Sequence, residues 1–351
     1  METKVLKVDP ADRDYFEKIS LAAEIIKSGG LVIFPTETVY GLGADATSSE
    51  AAKKIYAAKG RPSDNPLIIH VSTPEEAEKY TYTNEVYYKL AAKFMPGPLT
   101  VVLPSKDSIP KETRASLPTV AVRCPECRIA RDLISSSGVP IAAPSANLSG
   151  SPSPTTAKHV IDDMLGRVDM IIDGGDSDFG LESTIVKIED DSSLTLLRPG
   201  KITVDDLLSV VDTVAIADAV TSKLAEGEKV LSPGMKYRHY APKAPLLLVD
   251  EMADEFFDFV KNENYGKIAV ITYTEDAIRV KKVLPEADLF VIGSKADELS
   301  QAHNLFSVLR ETDNDSYDMI FAPLPSTDGI GLALYNRMIR AAAHKILKFK
   351  K

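Results

Sequence analysis

Residues 31–46, LVIFPTETVYGLGADA, change character at Pro35 and predict the fold of the first half of the chain. The apolar run before the proline is typical of a buried strand. Small hydroxyls and glycines follow it, and Gly41 and Gly43 let the backbone turn close to a ligand. A helix is predicted before the strand, because one helical face there is apolar until Gly29 and Gly30. That face consists of Tyr15, Ile19, Ala22 and Ile26.

Outward from this stretch, helical and strand patterns alternate to about residue 210, and several predicted strands follow one another without a helix between them. These strands read LIIHV, LTVVLP, TVAVR, VPIAAPSA, DMIIDGG, STIVKIE and SLTLLRP. Strands joined without a crossover helix usually pair antiparallel. The first segment is therefore predicted to form a mixed sheet with helices.

The pattern becomes more regular from about residue 244, where four apolar strands alternate with predicted helices at 251–262, 275–284, 295–312 and 330–348. This order predicts a small parallel layer of the doubly wound type. Gly329 and Gly331 precede the last helix and not the first strand-to-helix turn, so we expect a structural or partner-binding role rather than a dinucleotide site. We predict domains at residues 1–210 and 244–351, joined by residues 211–243.

Composition limits the class of protein. A chain of 351 residues is longer than one typical core supports, and its net charge of -10 argues against coating nucleic acid through bulk electrostatics. No apolar run approaches a membrane span and no signal-peptide pattern opens the chain, so we expect a soluble, cytoplasmic protein. Cys124 and Cys127 form a lone CPEC, which we interpret as ordinary loop residues, because two thiolates do not close a zinc site.

Polar residues with anion-binding chemistry follow the predicted strands. KGRPSDNPLIIH places Lys59, Arg61, Asn65 and His70 close together, and a guanidinium with an amide in a rigid loop suits phosphate or carboxylate recognition. Lys59 also ends a predicted helix, where its charge suits the helix dipole. His70, inside an apolar run, is on this evidence a core histidine.

A serine-rich loop, APSANLSGSPSPTT, follows another apolar strand and has the small hydroxyls of an anion-binding nest, although surface loops of this composition are common. Arg61, Arg123 and Arg198 each lie beside a predicted strand end, and with Lys59 they have the charge to neutralise a polyphosphate that also carries Mg²⁺. There is no nucleophile elbow, P-loop, HExxH or kinase motif set, so covalent or metallohydrolase chemistry has no support.

Six motifs in order, FPTETVYGLGADA, KGRPSDNPLIIHV, TVAVRCP, PIAAPSANLSGSPSPT, LESTIV and LLRPG, resemble the YrdC-like domain of threonylcarbamoyl-AMP synthases over about residues 15–205. The later SPGMKYRHYAPKAPL and the α/β tail resemble the long form of that family. The resemblance implies a YrdC-like twisted mixed sheet with helices, followed by a smaller Rossmann-like parallel α/β domain. It also implies a nucleotidyltransferase that condenses L-threonine, bicarbonate or CO₂, and ATP into L-threonylcarbamoyl-adenylate with release of pyrophosphate.

Carried over by position, the resemblance assigns one set of residues to each substrate. The residues implied around L-threonine are Thr38, His70, Arg123, Ala143 and Ser183. Those implied around ATP are Lys59, Arg61, Asn65, Thr119, Ser145, Ser153 and Arg198, with Lys59 and Arg61 also placed in catalysis and Asn147 and Ser149 as weaker candidates. Mg²⁺ is expected with ATP, and no metal held tightly by the protein is expected.

The joining segment carries SPGMKYRHYAP, residues 232–242, whose tyrosines and basic groups are unlike a simple spacer. We expect it to lie over the nucleotide as a lid, with Tyr240 as the first choice for contact with ATP. The implied product feeds N6-threonylcarbamoyladenosine formation in tRNA, so the downstream tRNA-modifying machinery is an expected partner, whereas a membrane is not. Direct contact with tRNA is compatible with this function but is not required.

Three other interpretations stay open on the sequence. An RNA-binding YrdC-like protein without adenylyl transfer is one, although acidic residues outnumber basic ones by 51 to 41 and no RNP motif is present. A carbamoyl-adenylate enzyme of hydrogenase maturation is another, but its acylphosphatase-like and zinc-finger segments are not visible. A C-terminal domain that recruits the tRNA-modifying machinery is compatible with the enzyme.

Overall fold

The computed structural model describes residues 2–222, 240–263, 265–313 and 316–349. They divide into two compact units, the first built from residues 2–149 and 153–220 and the second from residues 150–152, 221–222 and 240–349. Residues 232–239 of the predicted lid lie outside the described residues. None of the helices in the described ranges is long and apolar enough to cross a membrane.

The described residues of the first unit form six α-helices and two 3₁₀ segments. The helices are α1 (Tyr15–Lys27), α2 (Ser49–Lys59), α3 (Glu85–Phe94), α4 (Arg128–Ser137), α5 (Ala157–Met164) and α6 (Val204–Leu208). The 3₁₀ segments are Pro74–Lys79 and Asp218–Val220. The apolar face predicted for α1 is confirmed, because Tyr15, Ile19, Ala22 and Ile26 are all buried.

Eleven described strands of this unit form one sheet. The strands are β1 (Lys4–Lys7), β2 (Val32–Phe34), β3 (Gly41–Asp45), β4 (Ile68–His70), β5 (Leu99–Pro104), β6 (Thr119–Arg123), β7 (Ile141–Ala142), β8 (Met170–Asp173), β9 (Thr184–Ile188), β10 (Ser193–Arg198) and β11 (Thr213–Ile216). Their order across the sheet is β1-β8-β2-β3-β7-β4-β6-β5-β9-β10-β11. The sheet contains parallel pairs such as β4 with β6 and antiparallel pairs such as β5 with β6, which confirms the mixed sheet.

The core that supports the polar turn lies between two helices and the sheet. Helices α1 and α4 pack over β2 and β8, with Ile19, Ile134, Phe34 and Met170 fully or almost fully buried. All of residues 31–44 are buried, including the polar turn between β2 and β3. The turn is therefore an interior segment, and its polar atoms need partners.

The second unit is a five-stranded, all-parallel sheet with helices, which confirms the predicted fold class. Its helices are α7 (Asp254–Asn262), α8 (Ala277–Val283), α9 (Glu298–Glu311) and α10 (Gly331–Ala341), and its strands are β12 (Leu246–Val249), β13 (Ile268–Tyr273), β14 (Asp288–Gly293), β15 (Met319–Pro323) and β16 (Ile346–Leu347). The strand order is β14-β13-β15-β12-β16.

The predicted last helix, 330–348, is wrong at its end. Helix α10 stops at Ala341, and Ala343 and His344 adopt positive φ angles of 50° and 63°, a left-handed conformation that a helix does not continue through. The chain then forms β16, a fifth strand that pairs parallel to β12.

Candidate active site

The ends of neighbouring strands bring predicted site residues to one edge of the first sheet. His70 ends β4 and Arg123 ends β6, and the two residues are register partners in a parallel pair. Strand β5 runs antiparallel to β6, so its residue Thr100 lies opposite Arg123. Strand β9 runs parallel to β5, which places Ser183, just before β9, at the same edge. Convergence of these distant segments therefore follows from strand register.

Arg123 is the buried cation of this edge. Its Nη2 donates to Glu37 Oε1 at 2.6 Å, and both side chains are almost fully buried, at 5% and 7% exposure. Its Nε donates to the Gly97 carbonyl at 3.4 Å, whereas Nη1 bonds to none of the residues that the structure describes. One nitrogen of the guanidinium fork is thus left for another acceptor.

Thr38 and Ala143 lie on the neighbouring buried turns. The hydroxyls of Thr36 and Thr38 share a hydrogen bond of 2.8 Å, and Thr36 Oγ1 donates to the Val39 carbonyl at 2.6 Å. The Ala143 amide donates to the Ile68 carbonyl at 2.9 Å. A Cβ at Gly41 would lie 3.3 Å from that of Ala143, so the close approach of β3 to this turn favours glycine.

His70 is a neutral imidazole in this setting. Burial, together with the nearby Arg123 charge, lowers the pKa of His70 to about 3. Its Nδ1 is buried and has no hydrogen-bond partner among the described residues. The Phe34 ring contacts it edge-on, with centroids 6.4 Å apart. A neutral ring carries one donor and one acceptor, so this histidine can bind a ligand without adding charge.

Ser183 connects the two predicted substrate sets. Its hydroxyl shares a 2.8 Å hydrogen bond with Thr100 and accepts from Arg198 Nη2 at 3.1 Å, while the Ser183 carbonyl accepts from Arg198 Nε at 3.0 Å. The family resemblance implies Ser183 around threonine and Arg198 around ATP. The described contacts therefore make the two predicted sites adjacent.

Lys59 joins the end of α2 to the serine-rich loop. Its Nζ donates to the carbonyls of Ser145 and Asn147, the second at 2.6 Å, and its own carbonyl accepts from the Ser149 amide at 3.0 Å. The Ser145 hydroxyl donates to Asn147 Oδ1 at 2.6 Å. The lysine thus holds the loop in place, a role that its sequence position at a helix end did not predict.

Arg61 and Asn65 form the adjoining turn. Arg61 Nη2 donates to the carbonyls of Asn65 and Pro66, at 3.0 and 3.1 Å, and its guanidinium lies 6.0 Å from the centre of the Tyr56 ring. The Asn65 side chain is buried, and its Oδ1 has no partner within the described residues. An amide oxygen held in this way is suited to accept from a ligand.

Three other predicted nucleotide residues are placed differently. Ser153 is buried and donates to Glu182 Oε1 at 2.6 Å, one residue from Ser183. Thr119 begins β6, roughly 13 Å along the strand from Arg123 at about 3.3 Å per residue. Tyr240 belongs to the second unit, where its buried ring lies 5.1 Å from that of Phe306.

Sequence reasoning missed three buried polar residues of this edge, namely Glu37, Thr100 and Glu182. Glu37 lies between Thr36 and Thr38, in a motif whose sequence signal for a site comes from its hydroxyls and glycines. Thr100 lies in LTVVLP, which reads as an ordinary strand. A polar residue in a buried segment is the one signal that pointed to them.

The edge therefore combines buried guanidinium groups, small hydroxyls and a neutral histidine. Such a set binds carboxylates and phosphates and stabilises charge that moves between them. No group of three or more His, Cys, Asp and Glu side chains in the described ranges is arranged to hold a metal ion.

Comparison with known proteins agrees with this chemistry. Residues 24–200 match the family model described as "Telomere recombination", and residues 202–343 match the model described as "Threonylcarbamoyl-AMP synthase, C-terminal domain". A threonylcarbamoyl-AMP synthase of Pyrococcus abyssi is 42% identical over 341 residues, 94% of this chain and 96% of the relative. One of Bacillus subtilis is 40% identical over 354 residues, 99% of this chain and 100% of the relative.

A solved structure extends the likeness to three dimensions. The crystal structure of P. abyssi Sua5 complexed with L-threonine is similar with a TM-score of 0.89 at 40% identity, over 99% of this chain and all of that one. Fold and site together define a nucleotidyl-transferring enzyme with a YrdC-like domain. The chain belongs to the threonylcarbamoyl-AMP synthase family. The predicted family and enzyme class are confirmed, and the alternative of an RNA-binding protein without adenylyl transfer is not supported.

Proposed function

We propose that the strand edge of the first domain binds L-threonine and ATP side by side and joins them through bicarbonate into L-threonylcarbamoyl-adenylate. The observation that carries this proposal is the pair of hydrogen bonds from Arg198 to Ser183. They place a residue assigned to the nucleotide in direct contact with one assigned to threonine. Adenylyl transfer requires this proximity, because the attacking oxygen must lie next to the α-phosphorus.

The threonine side is formed by Thr38, His70, Arg123, Ala143 and Ser183. Arg123 is the partner for the carboxylate, through the nitrogen that the described protein groups leave unbonded. His70 stays uncharged at neutral pH, since its pKa is lowered to about 3. Among these five residues Arg123 is therefore the only charged side chain, and in this proposal its guanidinium binds the carboxylate of the amino acid.

The ATP side is formed by Lys59, Arg61, Asn65, Ser145, Ser153 and Arg198, with Thr119 added on the resemblance. Lys59 keeps the serine-rich loop in position, and Arg61 and Arg198 supply positive charge for the phosphates. Mg²⁺ would enter as part of the MgATP substrate and would supply further positive charge for the phosphates beside Arg61 and Arg198.

The reaction then needs positioning more than proton transfer. Threonine and bicarbonate give the carbamate with release of water and a proton. A carbamate oxygen forms a bond to the α-phosphorus of ATP while the bond to pyrophosphate breaks. Fixed guanidinium groups stabilise the charge that moves to pyrophosphate, which accounts for an edge without an obvious catalytic base.

The wider role is proposed on the same basis. The product is an activated carbamoyl group for N6-threonylcarbamoyladenosine in tRNA, delivered to downstream tRNA-modifying machinery in the cytoplasm. Domain boundaries at about 210 and 244 are proposed with it.

Tyr240 is proposed as a further contact with ATP. A solved variant of P. abyssi Sua5 has alanines in place of a His-Tyr pair, and the single His-Tyr pair in the present sequence is His239-Tyr240. Tyr240→Ala is therefore the variant to test for ATP binding.

The test is incubation with ATP, Mg²⁺, bicarbonate and labelled threonine, with pyrophosphate release and labelled adenylate as readouts. We expect release that depends on threonine. Arg123→Met should abolish threonine binding and with it the threonine-dependent release, whereas Arg61→Met should mainly raise the KM for ATP. Pyrophosphate release that does not depend on threonine would overturn the proposed reaction.

A further inference from the structure

We infer that Glu37 binds the amino group of the threonine substrate, so that Glu37 and Arg123 together recognise both charged ends of an α-amino acid. The inference rests on the proposed threonine site and adds a residue to it. Glu37 lies in the buried turn between β2 and β3, next to Thr38, and is not among the residues that the family resemblance assigned.

The two oxygens of the Glu37 carboxylate have different surroundings. Oε1 accepts from Arg123 Nη2 at 2.6 Å. Oε2 is buried and has no hydrogen-bond partner among the described residues. The nearby hydroxyls of Thr36 and Thr38 do not supply one, because they bond to each other and to the Val39 carbonyl.

A buried carboxylate oxygen without a donor is costly, so the observation points to a donor that arrives with a ligand. The charge of Arg123 does not meet this need, because its contact is made by the other oxygen. A cationic N–H donor fits best, since hydrogen bonds between two charged groups are the strong ones. The ammonium group of an amino acid is such a donor.

The arrangement of the pair matches the substrate. In an α-amino acid the ammonium and the carboxylate are attached to the same carbon, so they lie within a hydrogen-bond length of each other. Arg123 and Glu37 are also in direct contact, with one open nitrogen on the arginine and one open oxygen on the glutamate. A carboxylate on Arg123 therefore places its own amine beside Glu37 Oε2.

The same contact suits the later chemistry. When the amine becomes a carbamate, its nitrogen keeps one N–H, which can still donate to Oε2. The new carbamate oxygens are negative and are repelled by the Glu37 carboxylate. Glu37 would thus direct the reacting oxygen away from itself and from the carboxylate end of the substrate.

The decisive experiment compares two ligands by isothermal titration calorimetry. Threonine carries the amine, and 3-hydroxybutyrate keeps the carboxylate and hydroxyl but lacks it. We expect the unaltered protein to bind threonine at least tenfold more tightly than 3-hydroxybutyrate. Equal affinities would overturn the inference without any substitution.

The isosteric variant Glu37→Gln keeps an oxygen for Arg123 but puts an NH₂ group where the ammonium would bind. We expect its Kd for threonine to rise at least tenfold while its Kd for 3-hydroxybutyrate stays within twofold. The matched control is Glu50→Gln, at a glutamate that is 77% exposed and paired with Lys53, and it should change neither. Circular dichroism and ATP binding check that each variant is folded.

The outcomes separate this inference from the function on which it rests. If Arg123→Met abolishes threonine binding while Glu37→Gln keeps it within twofold, the site is correct and the role of Glu37 is wrong. If Glu37→Gln weakens both ligands equally, Glu37 acts only by holding Arg123, and the inference is again wrong. If Arg123→Met binds threonine normally, the proposed threonine site itself fails.

Discussion

Removal of the Arg123 charge should destabilise the first domain as well as abolish substrate binding. Arg123 and Glu37 are 2.6 Å apart, and their side chains are 5% and 7% exposed. Because Glu37 Oε2 already lacks a partner in the described residues, Arg123→Met leaves the whole carboxylate buried and unpaired. Breaking a buried ion pair from one side costs about 3–5 kcal/mol. That is a large share of the roughly 5–15 kcal/mol by which domains are stable.

Adding Glu37→Gln to Arg123→Met tests whether the unpaired buried charge causes the loss of stability. Glu37→Gln in the Arg123→Met background removes the unpaired charge and should restore about 2 kcal/mol or more of the lost stability. The sequence contains no tryptophan, so urea unfolding is best followed by far-UV circular dichroism. Hydrogen exchange of amides in β4 and β6 then assigns the transition to the first domain. Activity should stay absent in the double variant, because the threonine carboxylate has lost its partner.

The two charges would not be coupled if the changes in the free energy of unfolding of Arg123→Met and Glu37→Gln simply added in the double variant. A coupling below about 0.5 kcal/mol is the value expected for independent sites, and it would mean that the two charges do not stabilise each other. An Arg123→Met protein as stable as the unaltered one would refute the cost assigned to burial. Either result would also remove the basis for treating the pair as one recognition unit.

Three further predictions concern neighbouring groups. Burial lowers the pKa of His70 to about 3, so between about pH 3 and 6.5 only the unfolded state binds a proton on this side chain. The free energy of unfolding should therefore fall, as the pH is lowered through this range, by up to about 1.4 kcal/mol per pH unit. Urea titrations at several pH values should show a flatter slope for His70→Gln. Lys59→Met removes the donor to the carbonyls of Ser145 and Asn147. The rate of hydrogen exchange at residues 145–149 should therefore rise, and the KM for ATP should rise at least tenfold. An unchanged exchange rate would contradict the role of Lys59 in holding the loop. Burial raises the pKa of Cys124 to about 12 and also raises that of Cys127. Alkylation of both thiols at pH 8, followed by mass spectrometry, should therefore be slow until the protein is unfolded. The double variant Cys124→Ser/Cys127→Ser should keep threonine-dependent pyrophosphate release.

Much of the fold follows from local pattern. The buried face of α1, the α4 helix and the mixed sheet are set by apolar periodicity and by strands that adjoin without a helix. The short edge strands β1 and β11 are different, because each has mostly exposed residues and is stabilised by pairing with β8 or β10. Strand β16 is likewise defined by its pairing with β12. Pairing between distant segments leaves little periodic signal in the sequence.

In the candidate site, too, contacts between distant segments could not be predicted from the sequence. Arg123 and Arg198 were predictable as strand ends, whereas His70 lies inside the predicted strand LIIHV and the sequence alone favours a core histidine there. Strand register brings all three to one edge. What the sequence did not indicate is which group meets which. The contact of Arg198 with Ser183, and that of Arg123 with Glu37, join segments that are far apart in the chain and depend on the order β6-β5-β9-β10 and on the buried turn after β2.

Some buried polar atoms without partners among the described residues belong to the candidate site, and others do not. Glu37 Oε2, His70 Nδ1 and Asn65 Oδ1 belong to the strand edge or to the turns beside it, whereas Arg131 Nε and Ser177 Oγ belong to residues outside the predicted site. A folded interior normally matches each buried polar atom, because an unmatched one costs about 1–3 kcal/mol. The unmatched atoms of the candidate site are therefore suited to hydrogen-bond partners that a ligand supplies. In the proposed site Glu37 and His70 lie on the amino-acid side and Asn65 on the nucleotide side. Substrates that supply these missing partners should therefore bind tightly enough to raise the melting temperature by mass action.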